Sequence, residues 1–453
     1  MIRLAGFILI AFVFLVPPAQ AEGKRFLDIQ EVTSPGGITA WLVEDHSVPV
    51  IAMSFAFAGA GSALDPADRQ GLVQLASNTM DEGAGEYDSQ EFQKTLTDHS
   101  ISLSYSVGRD DYYGSLKTLT RQHELAFDLL RLSLTVPRFD AEPLQRMKDA
   151  NMARLRSSLS DPDWMAARLM NDVIYAGHPY AQNSGGTLTS LQAITADDLK
   201  AYVRDYLSRD RLKIAVTGDI KAAELAVLLD KTFGALPASG KNTVIADITL
   251  QNPGMTALYQ RDLPQTIIQI AQPGITRKDP DWQAAQVMNF ILGSSGFGSR
   301  LMEEIREKRG LTYGIYTGFN RLDHANSLNI GTSTRNNKVN EVLSLIKEEW
   351  VKMRDTAVSA QELADAKAYL IGSMPLSLSS TGQISGMMLS IMLDDLPSTY
   401  LDTVGDKIAA VTQDDVSRVS RRLLDPALLT TILVGNPADP APTKIIESLP
   451  NVE

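Results

Sequence analysis

The feature that most constrains this chain is that it repeats itself. Ile194-Thr-Ala-Asp-Asp-Leu-Lys-Ala-Tyr-Val-Arg-Asp-Tyr-Leu207 aligns without a gap with Val411-Thr-Gln-Asp-Asp-Val-Ser-Arg-Val-Ser-Arg-Arg-Leu-Leu424. The strand ends that follow, Ala215-Val-Thr-Gly-Asp219 and Ile432-Leu-Val-Gly-Asn436, keep the register, since 412 − 195 and 435 − 218 both give 217. A further echo links Phe139-Asp-Ala-Glu-Pro-Leu144 with Val358-Ser-Ala-Gln-Glu-Leu363. A match held in register over a helix and the next strand is an internal duplication, and it divides the chain into two similar halves. Turn formers cluster from Pro237-Ala-Ser-Gly-Lys241 to Asn252-Pro-Gly254. The expected layout is therefore a leader at 1–21, a first half at 22–240, a linker at 241–254 and a second half at 255–453.

Hydrophobic periodicity fills in the halves. Gly37–Val43 and Val48–Phe57 alternate as strands, as do Ile101–Val107, Tyr112–Leu119 and Leu212–Val216. Helical patterns occupy Gly71–Met80, Ser89–His99, Gln122–Thr135 and Ala141–Ser158. Asp161-Pro162 breaks the last of these before it resumes to Tyr175, and another helix opens at Thr195 with Asp197 and Asp198 in its first turn. Paired strands and long helices predict an α+β fold rather than a doubly wound parallel sheet.

The first residues read as a secretory leader. Arg3 is a basic start, Leu4–Val16 an apolar run, and Ala19-Gln20-Ala21 a small-residue cleavage site. An uncleaved anchor needs about 20 apolar residues, and Pro17-Pro18 ends this run early. No later stretch is long and apolar enough to span a bilayer. The chain has no cysteine, which excludes disulfides, thiolate metal sites and a cysteine nucleophile. A bacterial periplasm fits an exported chain of this kind. Formal charge is −12, or −13 once Arg3 leaves with the leader. No basic patch marks a nucleic-acid partner, so the acidity reads as solubility.

In the second half, Gly293-Ser-Ser-Gly-Phe-Gly298 opens a helical run over about Ser299–Arg309. Gly310 stands where a C-cap glycine belongs. A strand pattern follows, with Leu311, Tyr313, Ile315, Thr317 and Phe319 on one face. Periodicity alone makes Arg306 a partner of the helix dipole and Tyr313 a core aromatic. The glycine cluster lacks both the P-loop ending and the dinucleotide spacing, and reads as a structural turn.

Arg306-Glu-Lys-Arg-Gly-Leu-Thr-Tyr313 resembles the arginine–tyrosine motif in the second half of insulinase/pitrilysin-type zinc metallopeptidases. The resemblance extends over nearly all the mature chain, including the Gly71-Leu72 helix start, His178-Pro179-Tyr180 and Gln265. It implies two halves, each a roughly six-stranded, mainly antiparallel sheet packed with helices, facing across a cleft. It also gives Arg306 and Tyr313 a role. The pair would reach substrate at the zinc site of a facing half or partner, the arginine holding a peptide carbonyl or carboxylate and the tyrosine donating to the oxyanion. The glycine-rich loop would lie between the halves as a flap or linker.

Active members carry His-x-x-Glu-His on the helix after a Gly-Leu pair, two ligands at i and i+4 on one face with the base beside them. Here the helix reads Gly71-Leu-Val-Gln-Leu-Ala-Ser-Asn78. Gln74 and Asn78 replace the histidines and Ser77 replaces the base. The third ligand, a downstream glutamate, falls by counting near Asn151, and no glutamate lies between Glu142 and Leu191. Neutral amides are poor zinc ligands. The five histidines, His46, His99, His123, His178 and His324, form no local pair. His178, in its His-Pro-Tyr loop, reads as structural. No Gly-x-Ser-x-Gly elbow appears, and Met387, Met388 and Met392 fit helix packing.

The expectation is thus a zinc-less subunit of a periplasmic two-chain peptidase, with peptide as substrate. It would hold no cofactor of its own, its zinc and His-x-x-Glu-His residing in the partner. It would bind neither nucleic acid nor, after leader cleavage, membrane. The alternative is an inert structural or peptide-holding relative, and a third reading is an autonomous peptidase with an unrecognised site.

Overall fold

A computed structural model describes residues 25–438, 442–450 and 452–453, so the leader at 1–21 lies outside the described residues. Two six-stranded sheets form. The first contains β1 (Gln30–Thr33), β2 (Thr39–Glu44), β3 (Val50–Phe57), β4 (Ser102–Val107), β5 (Tyr112–Leu119) and β6 (Leu212–Gly218), in the order β1-β2-β6-β3-β5-β4. The second contains β7 (Thr256–Gln260), β8 (Gln265–Pro273), β9 (Ile315–Leu322), β10 (Ala325–Arg335), β11 (Thr430–Gly435) and β12 (Lys444–Ile446), in the order β12-β7-β11-β8-β10-β9. The order repeats from β2 to β4 and from β7 to β9. The repeat ends at one edge, where β1 runs antiparallel to β2 but β12 runs parallel to β7. Antiparallel pairing dominates both sheets, with β2–β6 and β7–β11 the repeated parallel pair. The α+β fold of two duplicated halves is as the sequence predicts.

The repeated motif has a local physical meaning. In the helices Ala196–Tyr206 and Gln413–Leu423, Thr195 and Thr412 are N-caps whose side chains accept from the N–H groups of Asp198 and Asp415. Each aspartate reaches back to the cap's own N–H, closing a capping box. Selection for that box keeps Thr-x-x-Asp legible in both copies.

What joins the halves is an exchange of helices, which periodicity does not reveal. Strand β3 shows why it is possible. Ile51, Met53, Phe55 and Phe57 point into the first half's own helical core, while Ala52, Ser54 and Ala56 present a face of small side chains. The helix Thr381–Leu393, from the second half, packs on that face against β3 and β6. Its Met388, Leu389 and Met392 bury against Val43, Ala56 and Ala215, and Ser54 and Ser385 share a 2.9 Å hydrogen bond. The reverse also occurs. The helix Pro162–Ile174, from the first half, lays Met165, Leu169, Met170 and Val173 on Ala271, Ile432 and Val434 of the second sheet. Asp161 caps this helix by accepting from Asp163 N–H, so the break read at Asp161-Pro162 is a helix start that redirects the chain.

Further ties cross the junction. The β9–β10 turn reaches the first half, where Asp323 N–H donates to Asp110 Oδ2 at 3.0 Å and His324 N–H to the Tyr180 hydroxyl at 3.2 Å. His178 accepts at Nδ1 from Tyr180 N–H, so its Nε2–H is the donor to Ala246 C=O at 2.8 Å, and its reading as a structural residue fits that geometry. Asp111 sits beside this turn. Burial pushes its carboxyl up to about 6, opposed by the Gly59 N–H and reinforced by Asp323.

Two predictions follow from the junction. Met388 is fully buried, so Met388→Ala should lower stability by roughly 2–5 kcal/mol, read by denaturant unfolding; a loss under about 0.5 kcal/mol, the size of an ordinary surface effect, would show the exchanged helix is not held there. For Asp111, the folded carboxyl titrates above its unfolded value. Both states are protonated below about pH 4, and the unfolded chain ionises first as pH rises, so stability falls between about pH 4 and 7. Asp111→Asn should remove about 3 kcal/mol of that fall. Parallel stability–pH curves for the two proteins would refute the assignment.

Candidate functional site

The zinc-motif helix of the first half spans Leu72–Thr79. Its start is held by Asp65, which accepts from Gly71 N–H at 2.8 Å and Val73 N–H at 3.0 Å. Gly71 has φ +84°, and a Cβ there would lie 2.8 Å from Gly186 Cα, so only glycine lets the Gly185-Gly186 loop close on the helix start.

The three replaced positions share one hydrogen-bonded cluster. Gln74 Nε2 donates to Asn78 Oδ1 at 3.0 Å and to Ser77 Oγ at 3.2 Å, and Ser77 Oγ donates to Gln74 C=O at 2.8 Å. Asn78 Nδ2 donates across to Asn151 Oδ1 at 2.8 Å. Asn151, reached in the sequence only by counting, projects from the helix Ala141–Ser158. The two helices thus bring together the four positions at which the resemblance puts zinc ligands and base, and none of them carries such a group. Imidazole and carboxylate are replaced by neutral amides that bond one another, and the hydroxyl at the base position is spent on a backbone carbonyl. These residues do not fit a zinc ion. No group of three metal-ligating His, Cys, Asp or Glu side chains occurs among the described residues.

Around Arg306 the structure corrects the reading from periodicity. The helical run holds a π-helical turn over Met302–Glu307. Gly310, at φ +59°, ends it, with Gly310 N–H donating to Arg306 C=O and Leu311 N–H to Ile305 C=O. The expected strand does not begin at Leu311 but at Ile315. Threonine hydroxyls take over the bonds a ladder would make: Thr334 Oγ1 donates to Leu311 C=O, and Thr332 Oγ1 to Gly314 C=O. Freed from the pleat, Tyr313 is 89% exposed and is no core aromatic. Arg306 stacks over the Phe297 ring at 4.3 Å and reaches the Tyr313 ring at 5.5 Å. Its Nη1 also lies 3.3 Å from Glu307.

Phe297 had no signal in the sequence beyond its place in the glycine cluster. That cluster is a structural turn, as read. Its first two residues close a second π-helical turn, Phe290–Ser294, and a Cβ on Gly293 would strike the Thr317 side chain at 2.5 Å. Met388 and Met392 are helix-packing residues, as expected. The amide cluster and the Phe297–Arg306–Tyr313 stack thus lie in separate halves.

A family profile described as "Peptidase M16 inactive domain" matches residues 193–370. The chain is 28% identical over 398 residues to the Helicobacter pylori "Non-peptidase homolog YmxG", covering 87% of this chain and 90% of that one. It is 23% identical to the Bacillus subtilis "Uncharacterized zinc protease YmxG", covering 87% and 95%. The crystal structure of a peptidase M16 inactive domain from Pseudomonas fluorescens superposes with a TM-score of 0.85 at 27% identity, covering 92% of this chain and all of that one. In its duplicated sheets and over most of its length, the chain is similar to the M16 peptidases, the insulinase/pitrilysin type.

Proposed function

We propose that this chain is the zinc-less subunit of a two-chain, periplasmic M16 peptidase. A second M16 chain carrying His-x-x-Glu-His would supply the metal, which activates water for peptide hydrolysis. This chain would close the chamber and offer Arg306 and Tyr313 to the bound peptide. The observation that carries the reading is the exposure of Tyr313 beside a stacked arginine. Core packing gives no reason for it, and a hydroxyl that must reach a substrate does. Phe297 holds the guanidinium plane, Arg306 grips a carbonyl or carboxylate by its fork of donors, and Tyr313 donates to the oxyanion. The periplasmic assignment rests on the leader sequence.

Two observations favour the inert alternative, a scaffold or peptide-holding relative. The amide cluster satisfies most of its own hydrogen bonds, and the H. pylori relative is named a non-peptidase. The two readings separate in one assay. This chain alone should be metal-free and inert, and mixing it with the motif-bearing chain should raise peptide hydrolysis far above that chain's own rate. No enhancement leaves the scaffold reading standing. Tyr313→Phe in the mixture should lower kcat by roughly 10²–10³-fold with assembly unchanged.

The four clustered positions give a second test. Gln74→His, Ser77→Glu, Asn78→His and Asn151→Glu together should let this chain bind one equivalent of zinc, measured by elemental analysis after dialysis, while the natural sequence binds none. A folded quadruple variant without zinc would mean the helices no longer keep ligand geometry.

A further inference from the structure

The exchanged helices leave part of each sheet's outer face uncovered, and the two openings differ in chemistry. Beside Thr381–Leu393, the first sheet borders a groove of about 490 Å³ lined by Arg109, Asp110, Asp111, Arg321, Asp323 and Asp394 among others. Beside Pro162–Ile174, the second sheet borders a groove of about 410 Å³ over β8, β10 and β9 in which no lining side chain is charged. In a chain with 21% charged residues, that neutrality is a property of the site.

Its polar lining consists mainly of amides. Asn171 comes from the helix, Gln269 from β8, Asn320 from β9 and Asn329 from β10. Register puts the strand residues on one face: Gly331 pairs with Gln269 and Tyr316, Asn329 with Gly318. Asn329 Oδ1 is buried and lacks a hydrogen-bond partner. A buried acceptor left unpaired costs about 1–3 kcal/mol until something pairs it. The floor is bare, since nothing lies within 4 Å of where a Cβ would sit on Gly318 or Gly331.

A side-chain amide carries the same C=O and N–H pair as a peptide bond. A floor without side chains lets another backbone approach, and the absence of charge neither attracts nor rejects side chains by sign. We propose that this groove binds the main chain of an extended peptide without regard to side-chain charge. The inference shares with the proposed function the idea that the chain handles peptides, but needs neither the partner nor Arg306.

The test is calorimetric titration of this chain alone with an N-acetylated, C-amidated serine–alanine octapeptide. The natural chain should bind it, and peptides with single Lys or Asp substitutions should bind comparably. Gly331→Val, which fills the floor at an ordinary strand position, should weaken binding at least tenfold, equivalent to about 1.4 kcal/mol, with an unchanged melting temperature. Asn329→Leu serves the same purpose if the valine variant fails to fold. Val227→Ala, at an exposed position outside the groove, should bind as the natural chain does. No binding by the natural chain, equal binding by the groove variants, or strong selection by charge overturns the proposal. Peptide binding without enhancement of the partner would retain the groove and remove the two-chain reading; enhancement with an indifferent groove would do the reverse.

Discussion

The small-residue face of β3 is the constraint from which the rest of the structure follows. Ala52, Ser54 and Ala56 bring a foreign helix close enough to bury Met388 and Met392, and the opposite face of the same strand anchors the first half's own core through Phe55 and Phe57. An antiparallel sheet can leave one face to water. Here both faces of the central strands are occupied, one by the half's own helices and one by a helix borrowed from the other half. The relative placement of the two halves is therefore set by interior packing, with the linker adding further ties.

That placement governs the site. The first half keeps the two-helix frame in which a metal could be held, and fills it with four neutral side chains that bond one another. The second half keeps an arginine and a tyrosine outside the sheet, released from the pleat by threonine hydroxyls on the neighbouring strand. One region has lost its reagent while the other keeps its donors.

Much of this was legible in the sequence, and the limits have physical causes. The duplication was readable because a capping box fixes residue types at fixed spacing. Asn151 could be located by counting because the resemblance implies a third ligand downstream of the Gly-Leu helix, and in the fold it bonds Asn78. The helix exchange was not readable: periodicity says that a face is apolar but not which sheet it covers. The edge strands β1 and β12, of four and three residues, were too short to show a pattern. Tyr313 misled because Leu311-Thr-Tyr-Gly-Ile315 alternates as a strand does, and only the hydroxyls of Thr332 and Thr334, some twenty residues on, divert it. The π-helical turns flanking the glycine cluster left no compositional trace.

The exchanged helices have one more consequence. A single half would carry a helix with no sheet to lay it on and a sheet with one side bare. Two such halves complete each other by trading that helix, which is the geometry of a domain-swapped dimer. The tandem chain is that dimer with its subunits fused. On this view neither half is a finished domain by itself; each is completed by the helix it receives.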